Sequence, residues 1–296
     1  MSPMHDVIVV GGSYSGLAAA LQLARARRDV VVIDAGVRRN RFAAHSHGFL
    51  GQDGRDPTAI VTDARRQVEA YPTINFVDGS ATRIERSGAG FAVCVEKKQS
   101  FLARRLVLAL GVVDDLPDVQ GLAERWGKSV FHCPYCHGYE LNSGAIGVLA
   151  TGPASMHHAL MLPDWGTVTF FLNGAFEPSS EEREQLAARG VTVEETGVAR
   201  IEGEADVVLT DGRSLAMAGL FTASRIHPSC NLAEGLGCEI EEGPTGRFLR
   251  TDAMKETTVA GVFACGDVAR AAGSVSLAVG DGAMAGVGAH RSLMFG

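Results

Sequence analysis

The N-terminal stretch of this chain constrains its fold most strongly, because a buried strand leads at once into a glycine-rich turn and a helix. Residues 6–10 read Asp-Val-Ile-Val-Val, and the Ala- and Leu-rich stretch Leu17–Arg28 predicts the helix. The next strand, Val30–Ile33, ends in an acid 18 residues beyond the last turn glycine. Dinucleotide-binding folds bend at such glycines beside a pyrophosphate and use an acid near this spacing for a ribose hydroxyl. The predicted cofactor-binding residues here are Gly11, Gly12, Ser13, Tyr14, Ser15, Gly16 and Asp34, with Ser13 in place of the usual second glycine.

The same order of elements begins again in the middle of the chain. A strand, a turn, a helix and a further strand are predicted at Gly144–Ala150, Thr151–Ser155, Met156–Leu162 and Thr167–Leu172. Strand Gly261–Ala264 and a long helix, Ser276–Leu293, then resume the first pattern. The predicted fold class is α/β, with two Rossmann-like, three-layer nucleotide-binding domains, the second inserted into the first. We predict an FAD-binding domain at 1–116 and 242–296, and the inserted domain at 117–241.

Composition excludes several classes of partner. The 296-residue chain carries a formal net charge of −7, whereas nucleic acid or an anionic membrane surface requires clustered Lys and Arg. No apolar run approaches the roughly 18 residues of a membrane span, and the N-terminus lacks a signal pattern. We therefore expect small-molecule or neutral protein partners and a cytoplasmic location.

The segment His132-Cys133-Pro134-Tyr135-Cys136-His137-Gly138-Tyr139-Glu140 carries the redox chemistry, because cysteines at this spacing can close a small disulfide ring and exchange electrons with thiols or a flavin. The same letters also fit c-type haem attachment, a glutaredoxin active sequence and half a zinc site. Haem attachment usually requires export, a glutaredoxin pair would lie near the start of a small fold, and zinc would need a second close pair. We therefore favour a flavin-coupled pair and no metal, and interpret the remaining thiols as small buried apolar residues: Cys94, Cys230, Cys238 and Cys265.

His137 directly follows the second cysteine of the pair. An imidazole with a near-neutral pKa could take a proton from a substrate thiol or from Cys133. The alternative is a histidine that only hydrogen-bonds Glu140 or a backbone carbonyl. We predict Cys133, Cys136 and His137 as the catalytic residues, and interpret the other nearby histidines as polar or structural: His45, His47, His132 and His227.

Near the C-terminus, Gly266-Asp267 follows the terminal strand. In flavin folds of this type the carboxylate lies against the ribityl hydroxyls. The N–H groups of the next helix, around Val275 and Ser276, would face the flavin pyrimidine edge, where negative charge accumulates on reduction. With Gly111, which follows the predicted strand Leu106–Leu110, these residues complete the predicted site, and FAD is the predicted cofactor.

These motifs resemble the low-molecular-weight thioredoxin reductase family over nearly the whole chain. Within that family, the block Cys133–Glu140, with His137 where the reductases carry an acid, is similar to the dithiol oxidases that close disulfides in gliotoxin, holomycin and related natural products. The resemblance implies FAD, a homodimer, molecular oxygen as electron acceptor, and Cys136 as the thiol that faces the flavin.

The second nucleotide turn departs from that of an NADPH-dependent reductase. Ala150 stands where the first glycine should be, and the strand that follows ends in Leu172–Glu177 without a basic cluster for a 2′-phosphate. We expect Glu177 to repel that phosphate, while Asn173 leaves a weak NADH mode open. The preferred interpretation is a packing domain that retains only a nucleotide-like shape.

The predicted activity is therefore FAD-dependent oxidation of a small-molecule dithiol to a disulfide, with O₂ as acceptor and H₂O₂ as product. Two alternatives stay open. One is a thioredoxin-type reductase of a small redox protein, driven by NAD(P)H or another donor such as ferredoxin, and the other is a non-catalytic flavoprotein redox sensor. The loops His45–Asp53 and His227–Leu232 are expected to shape the substrate pocket, whose ligand the sequence does not identify.

Overall fold

The first sheet is assembled around the N-terminal strand. The computed structural model describes residues 3–88, 90–96 and 99–296. The strands of this sheet are β1 (Met4–Val10), β2 (Val30–Asp34), β3 (Ile74–Asp78), β4 (Ala81–Ser87), β5 (Gly90–Val95), β6 (Gln99–Leu108) and β19 (Val262–Ala264). Strands β3, β2, β1 and β6 are parallel neighbours in that order, and β19 continues the parallel pairing beside the C-terminal half of β6. Antiparallel β5 and β4 extend the N-terminal half of β6.

Helices cover one face of this sheet. They are α1 (Tyr14–Arg25), α2 (Pro57–Glu69) and α7 (Val275–Phe295). Helices α1 and α7 approach so closely that a Cβ on Gly282 would lie 2.0 Å from the carbonyl oxygen of Ser15. The valines of β1 and β2 are buried, as expected for central parallel strands that are covered on both faces.

The second sheet is wholly parallel. Its strands are β8 (Val130–Phe131), β9 (Ala145–Leu149), β10 (Thr167–Phe171), β11 (Thr192–Glu194) and β15 (Gly219–Thr222), in the order β11-β10-β9-β15-β8. One face packs against α4 (Met156–Met161) and α5 (Ser180–Ala188), and the other against the antiparallel strands β12 (Val198–Glu202), β13 (Asp206–Leu209) and β14 (Ser214–Leu215). Ser179 caps α5 in a reciprocal capping box with Glu182.

A third sheet lies where the chain passes between the two parallel sheets. Its strands are β7 (Val112–Asp115), β16 (Arg225–Pro228), β17 (Ile240–Gly243) and β18 (Gly246–Leu249), and β7 pairs antiparallel with β16. The short helix α6 (Leu232–Gly235) and Cys238 pack into the core of the first sheet. The domain limits 116 and 242 stay predictions, and this packing favours a return to the first domain before residue 242.

Two parallel sheets flanked by helices confirm the predicted α/β class. The predicted strand, turn and helix of the second unit are observed at nearly the expected limits. Helix α1 begins at Tyr14, three residues before the predicted Leu17, because the glycine turn leads directly into the helix. None of the described helices combines the length and apolarity that a membrane crossing requires.

Candidate active site

The first glycine turn is too tightly packed to accept side chains. Gly11 has φ +103°, and a Cβ there would lie 2.2 Å from the carbonyl oxygen of Ala109. A Cβ on Gly16 would lie 1.8 Å from the carbonyl oxygen of Gly11. The backbone N–H of Gly12 donates to Asp34 Oδ1 at 3.1 Å, which fixes the acid at the end of β2 beside the turn. The turn therefore requires glycine sterically and brings an acid to the start of α1.

A cavity of about 490 Å³ extends from this turn to the segment that follows β8. This volume lies within the range of small-molecule and cofactor sites. The predicted site residues that line the cavity are Gly11, Gly12, Ser13, Tyr14, Ser15, Asp34, Gly111, Cys136, His137, Asp267 and Val275. Four predicted site residues are not among the described residues that line the cavity: Gly16, Cys133, Gly266 and Ser276. The structure thus brings the first turn, the C-terminal acid and one cysteine of the pair to a single cavity.

Asp267 reaches the cavity from a 3₁₀ turn behind β19. Gly266 has φ +77°, and a Cβ there would lie 2.5 Å from Ser15 Oγ, so the approach of this turn to α1 also requires glycine. Asp267 Oδ2 accepts a hydrogen bond from Arg39 Nη1 at 3.0 Å. The contact holds one carboxylate oxygen, and the second oxygen remains for a ligand in the cavity.

Arg39 is a site residue that the sequence analysis missed. Its guanidinium binds Asp114 in bidentate fashion at 2.9 and 2.6 Å, and Ser224 Oγ donates to Asp114 at 2.7 Å. Only 19% of the Arg39 side chain and 7% of the Asp114 side chain are exposed. Burial raises the pKa of Asp114, but the hydrogen bonds and charge of Arg39 outweigh it, so the pKa is lowered overall and Asp114 is ionised. The only sequence signal was the basic loop after β2, because the partners lie 75 and 228 positions from Arg39.

The N-terminal end of α7 also meets the cavity. Ser274 caps the helix by accepting a hydrogen bond from Leu277 N at 3.1 Å, and Val275 lines the cavity. Ser276 does not line it: its hydroxyl donates to the carbonyl oxygen of Gly48 at 2.9 Å. The hydroxyl of Ser276 therefore fastens the His45–Asp53 loop, and its role toward the cofactor stays a prediction.

The cysteine pair lies at the start of a short helix. Cys133 precedes α3 (Pro134–His137) and is joined to Cys136 by a disulfide, with the two Cα atoms 5.3 Å apart. Proline suits the first helical position, where no intrahelical N–H bond is lost. Cys136 lines the cavity and Cys133 does not, so the two residues of the pair differ in their relation to it.

His137 is held face to face against a buried aromatic ring. Its imidazole stacks on Phe131 at 4.1 Å between centroids. Burial, assisted by the charge of His47, lowers the pKa of His137 to about 4, so the ring is neutral at pH 7 and able to accept a proton. His47 Nδ1 lies 3.5 Å from Glu140 Oε1, and this contact joins the loop over the cavity to the segment that follows the cysteine pair.

The polar groups of the second nucleotide turn form hydrogen bonds within the protein. Thr151 N donates to Ser155 Oγ at 3.0 Å, and Thr151 Oγ1 donates to the carbonyl oxygen of Ala223 at 3.1 Å. Pro153, which has no N–H, begins the 3₁₀ turn before α4. Asn173 Oδ1 accepts from Val198 N at 2.8 Å, and Glu177 is paired with Arg183. The groups that a dinucleotide would use are largely bonded within the protein.

The remaining cysteines differ from one another. Cys238 and Cys265 are buried as expected, and burial raises the pKa of Cys265 to about 12. Cys94 and Cys230 are only half-buried, and Cys230 lines the cavity, so the interpretation of all four as buried residues is wrong for these two. Cys230 is half-buried because it lies on the loop after β16, at the margin of the core.

The pyridine nucleotide-disulphide oxidoreductase family matches residues 5–282, and the chain belongs to this family. Thioredoxin reductase aclD of Aspergillus oryzae is 31% identical over 311 residues, covering 99% of this chain and 98% of that protein. An oxidoreductase from Agrobacterium tumefaciens of known crystal structure shares 59% identity at a TM-score of 0.97, with 99% of each chain covered. The crystal structure of HlmI shares 38% identity at a TM-score of 0.91, covering 99% of this chain and 95% of that one.

These similarities confirm the predicted relationship to the thioredoxin reductase-like flavoproteins, and within them to the gliotoxin- and holomycin-type enzymes. The protein is an oxidoreductase, and its cofactor is FAD. The cavity fits this cofactor, because a glycine turn at a helix N-terminus and two carboxylates, Asp34 and Asp267, line the same cavity.

Proposed function

We propose that this protein is a dithiol oxidase, which forms a disulfide in a small-molecule dithiol and passes the electrons to O₂ with H₂O₂ as product. The observation that carries the proposal is the arrangement of the pair: Cys136 adjoins the FAD cavity, Cys133 lies outside its lining, and a neutral His137 is next to Cys136. A disulfide with one sulfur toward the cofactor and one away from it can accept electrons on one side and deliver them on the other.

In the proposed reaction, His137 accepts the proton of a substrate thiol, and the thiolate attacks Cys133 Sγ. The Cys133–Cys136 bond breaks as the mixed disulfide forms, and Cys136 leaves as a thiolate. The second substrate thiol then attacks the mixed disulfide and releases Cys133, which takes up the proton of that thiol, so the substrate loses two electrons and two protons. Bound FAD would take the two electrons from the dithiol of the enzyme, restoring its disulfide, and O₂ would remove them.

The second turn supports oxygen rather than a nicotinamide as the electron partner. Thr151 N–H is bonded to Ser155 and Pro153 offers no donor. Glu177, which we expect to repel a 2′-phosphate, is ion-paired with Arg183, and this pair leaves no free basic group there for the phosphate among the described residues. The second candidate is a disulfide reductase, which is favoured by the names of relatives such as thioredoxin reductase sirT of Leptosphaeria maculans, 32% identical over 97% of this chain.

Anaerobic titration of the flavin absorbance separates the two candidates. NADPH, NADH and then a simple dithiol are added in turn to the holoprotein. We expect bleaching by the dithiol alone, with recovery and H₂O₂ on admission of air. Bleaching by NADPH would assign the protein to the reductases, and stoichiometric bleaching by dithiol without turnover in air would assign it to the redox sensors.

The remaining expectations belong to the same proposal. We propose a homodimer that acts in the cytoplasm on a small-molecule dithiol, with a small redox protein as the alternative substrate. The family resemblance supports the dimer. Light scattering at the working concentration tests it, and a monomeric mass would count against it.

A further inference from the structure

His132 lies in the wall of the FAD cavity without a hydrogen-bond partner for its ring. The residue follows β8 and directly precedes the cysteine pair, and it is half-buried and lines the cavity. Its carbonyl oxygen is bonded to His158 Nε2 at 2.8 Å, which holds its backbone. Among the described residues, neither nitrogen of the His132 ring has a partner, and an imidazole enclosed by protein normally finds one.

The charged neighbours of His132 are already committed to one another. The charge of Arg39 lowers the pKa of the His132 ring, and the charge of Asp114 raises it. Arg39 directs its donors at Asp114 and Asp267, while Asp114 accepts two bonds from Arg39 and one from Ser224. Trp126 packs beside the ring at 5.8 Å between centroids. The protein therefore surrounds this imidazole but leaves its nitrogens to a ligand.

Two ligands could reach the cavity wall, and the surroundings of His132 favour the cofactor. His132 lines the cavity together with Asp34 and Asp267, the two carboxylates of the FAD site, and Arg39 holds Asp267 by a hydrogen bond. We propose that His132 is an FAD-binding residue whose imidazole hydrogen-bonds the bound cofactor.

The protonation state of His132 suits this contact. Burial, together with the positive charge of Arg39, lowers the pKa of His132 to about 3. The neutral ring carries one donor and one acceptor nitrogen and can bond either a carbonyl or a hydroxyl group of the cofactor without adding charge. The proposal concerns the FAD site alone, so it can be tested whether the enzyme is an oxidase or a reductase.

The test measures the affinity of the apoprotein for FAD, with the quenching of flavin fluorescence as the signal. The proteins compared are the wild type, His132→Leu, His132→Asn and His132→Gln. We expect about tenfold weaker binding for His132→Leu, the effect of one net hydrogen bond, and a shifted visible absorbance spectrum of the bound flavin. At least one amide variant should restore the affinity, because Asn and Gln place a polar nitrogen near one of the two ring positions. His157→Leu is the matched control, since His157 is exposed and does not line the cavity.

If His132→Leu does not fold, His132→Phe retains the ring shape without its nitrogens and serves in its place. Wild-type FAD affinity together with an unchanged flavin spectrum in the apolar variant would overturn the proposal. A raised KM for dithiol with unchanged FAD affinity would also overturn it, because the imidazole would then belong to the substrate site.

Discussion

The first turn, Gly11–Gly16, and the second turn, Ala150–Ser155, both follow a buried parallel strand and precede a helix, but their polar groups have different partners. In the first turn Ser13, Tyr14 and Ser15 line the cavity, and the opening N–H groups of α1 have no intrahelical acceptors. In the second, Ser155 takes the Thr151 N–H. A nucleotide-like backbone therefore becomes a binding site only where its donors are left for a ligand.

The unit built on the first sheet and the unit built on the second sheet contribute different residues to the candidate active site. The first supplies the turn and the acids of the cofactor site, and the second supplies the cysteine pair and His137 through the segment after β8. If this division is correct, changes at the cysteine pair and at His137 should affect turnover without affecting FAD binding, and changes in the first turn should affect both.

The largest effect is expected at the cysteine nearest the cofactor. Cys136→Ser removes the thiolate that passes electrons to FAD in the proposed reaction, so dithiol-dependent oxygen uptake should fall to background while the protein stays yellow. Oxygen-electrode assays and flavin absorbance measure the two properties, with Cys94→Ser as a control outside the cavity. Full turnover by Cys136→Ser would remove the pair from the mechanism.

His137→Gln should slow the reaction by roughly a hundredfold or more, the usual contribution of a general base. Because the pKa of His137 is about 4, wild-type activity should lose its base only as the pH falls toward 4. Above that pH the imidazole is neutral and active, and the acid limb assigned to it should vanish in the variant. An acid limb that persists near pH 4 in His137→Gln would assign the base to another group.

Gly16→Ala should destabilise the first unit by about 3 kcal/mol, because the new methyl group would overlap the carbonyl oxygen of Gly11. We expect lower FAD content and a lower unfolding free energy in urea. Gly280→Ala is the matched control: it lies in α7 with open space around the added Cβ, and it should gain up to about 1 kcal/mol from helix propensity. Equal losses in both variants would contradict the steric explanation.

The smallest effect is expected in the second turn. Ser155→Ala frees the Thr151 N–H at a cost of about 1 kcal/mol, and FAD content and dithiol turnover should remain near those of wild type. Stopped-flow measurements should show no new flavin reduction by NADPH, because Pro153 and Glu177 are unchanged. Rapid reduction by NADPH would mean that the Ser155 hydroxyl alone prevents NADPH from binding at an otherwise functional nucleotide site.

Features that depend on a few consecutive residues were predictable from the sequence. Glycines 11, 12 and 16, the strand before them and Asp34 beyond them predicted the first turn, because strand period, turn sterics and helix start are local properties. Cys133 and Cys136 predicted the redox pair in the same way, since two intervening residues suffice to close the ring.

Which of these groups meet follows from the tertiary structure. It brought Cys136, but not Cys133, into the lining of the cavity, joined Arg39 to acids 75 and 228 positions distant, and enclosed His132 and His137 so that both rings are neutral. It also placed the Ser155 hydroxyl where it accepts the Thr151 N–H of the second turn. These outcomes depend on burial and on contacts between distant segments, and the local sequence pattern carries neither.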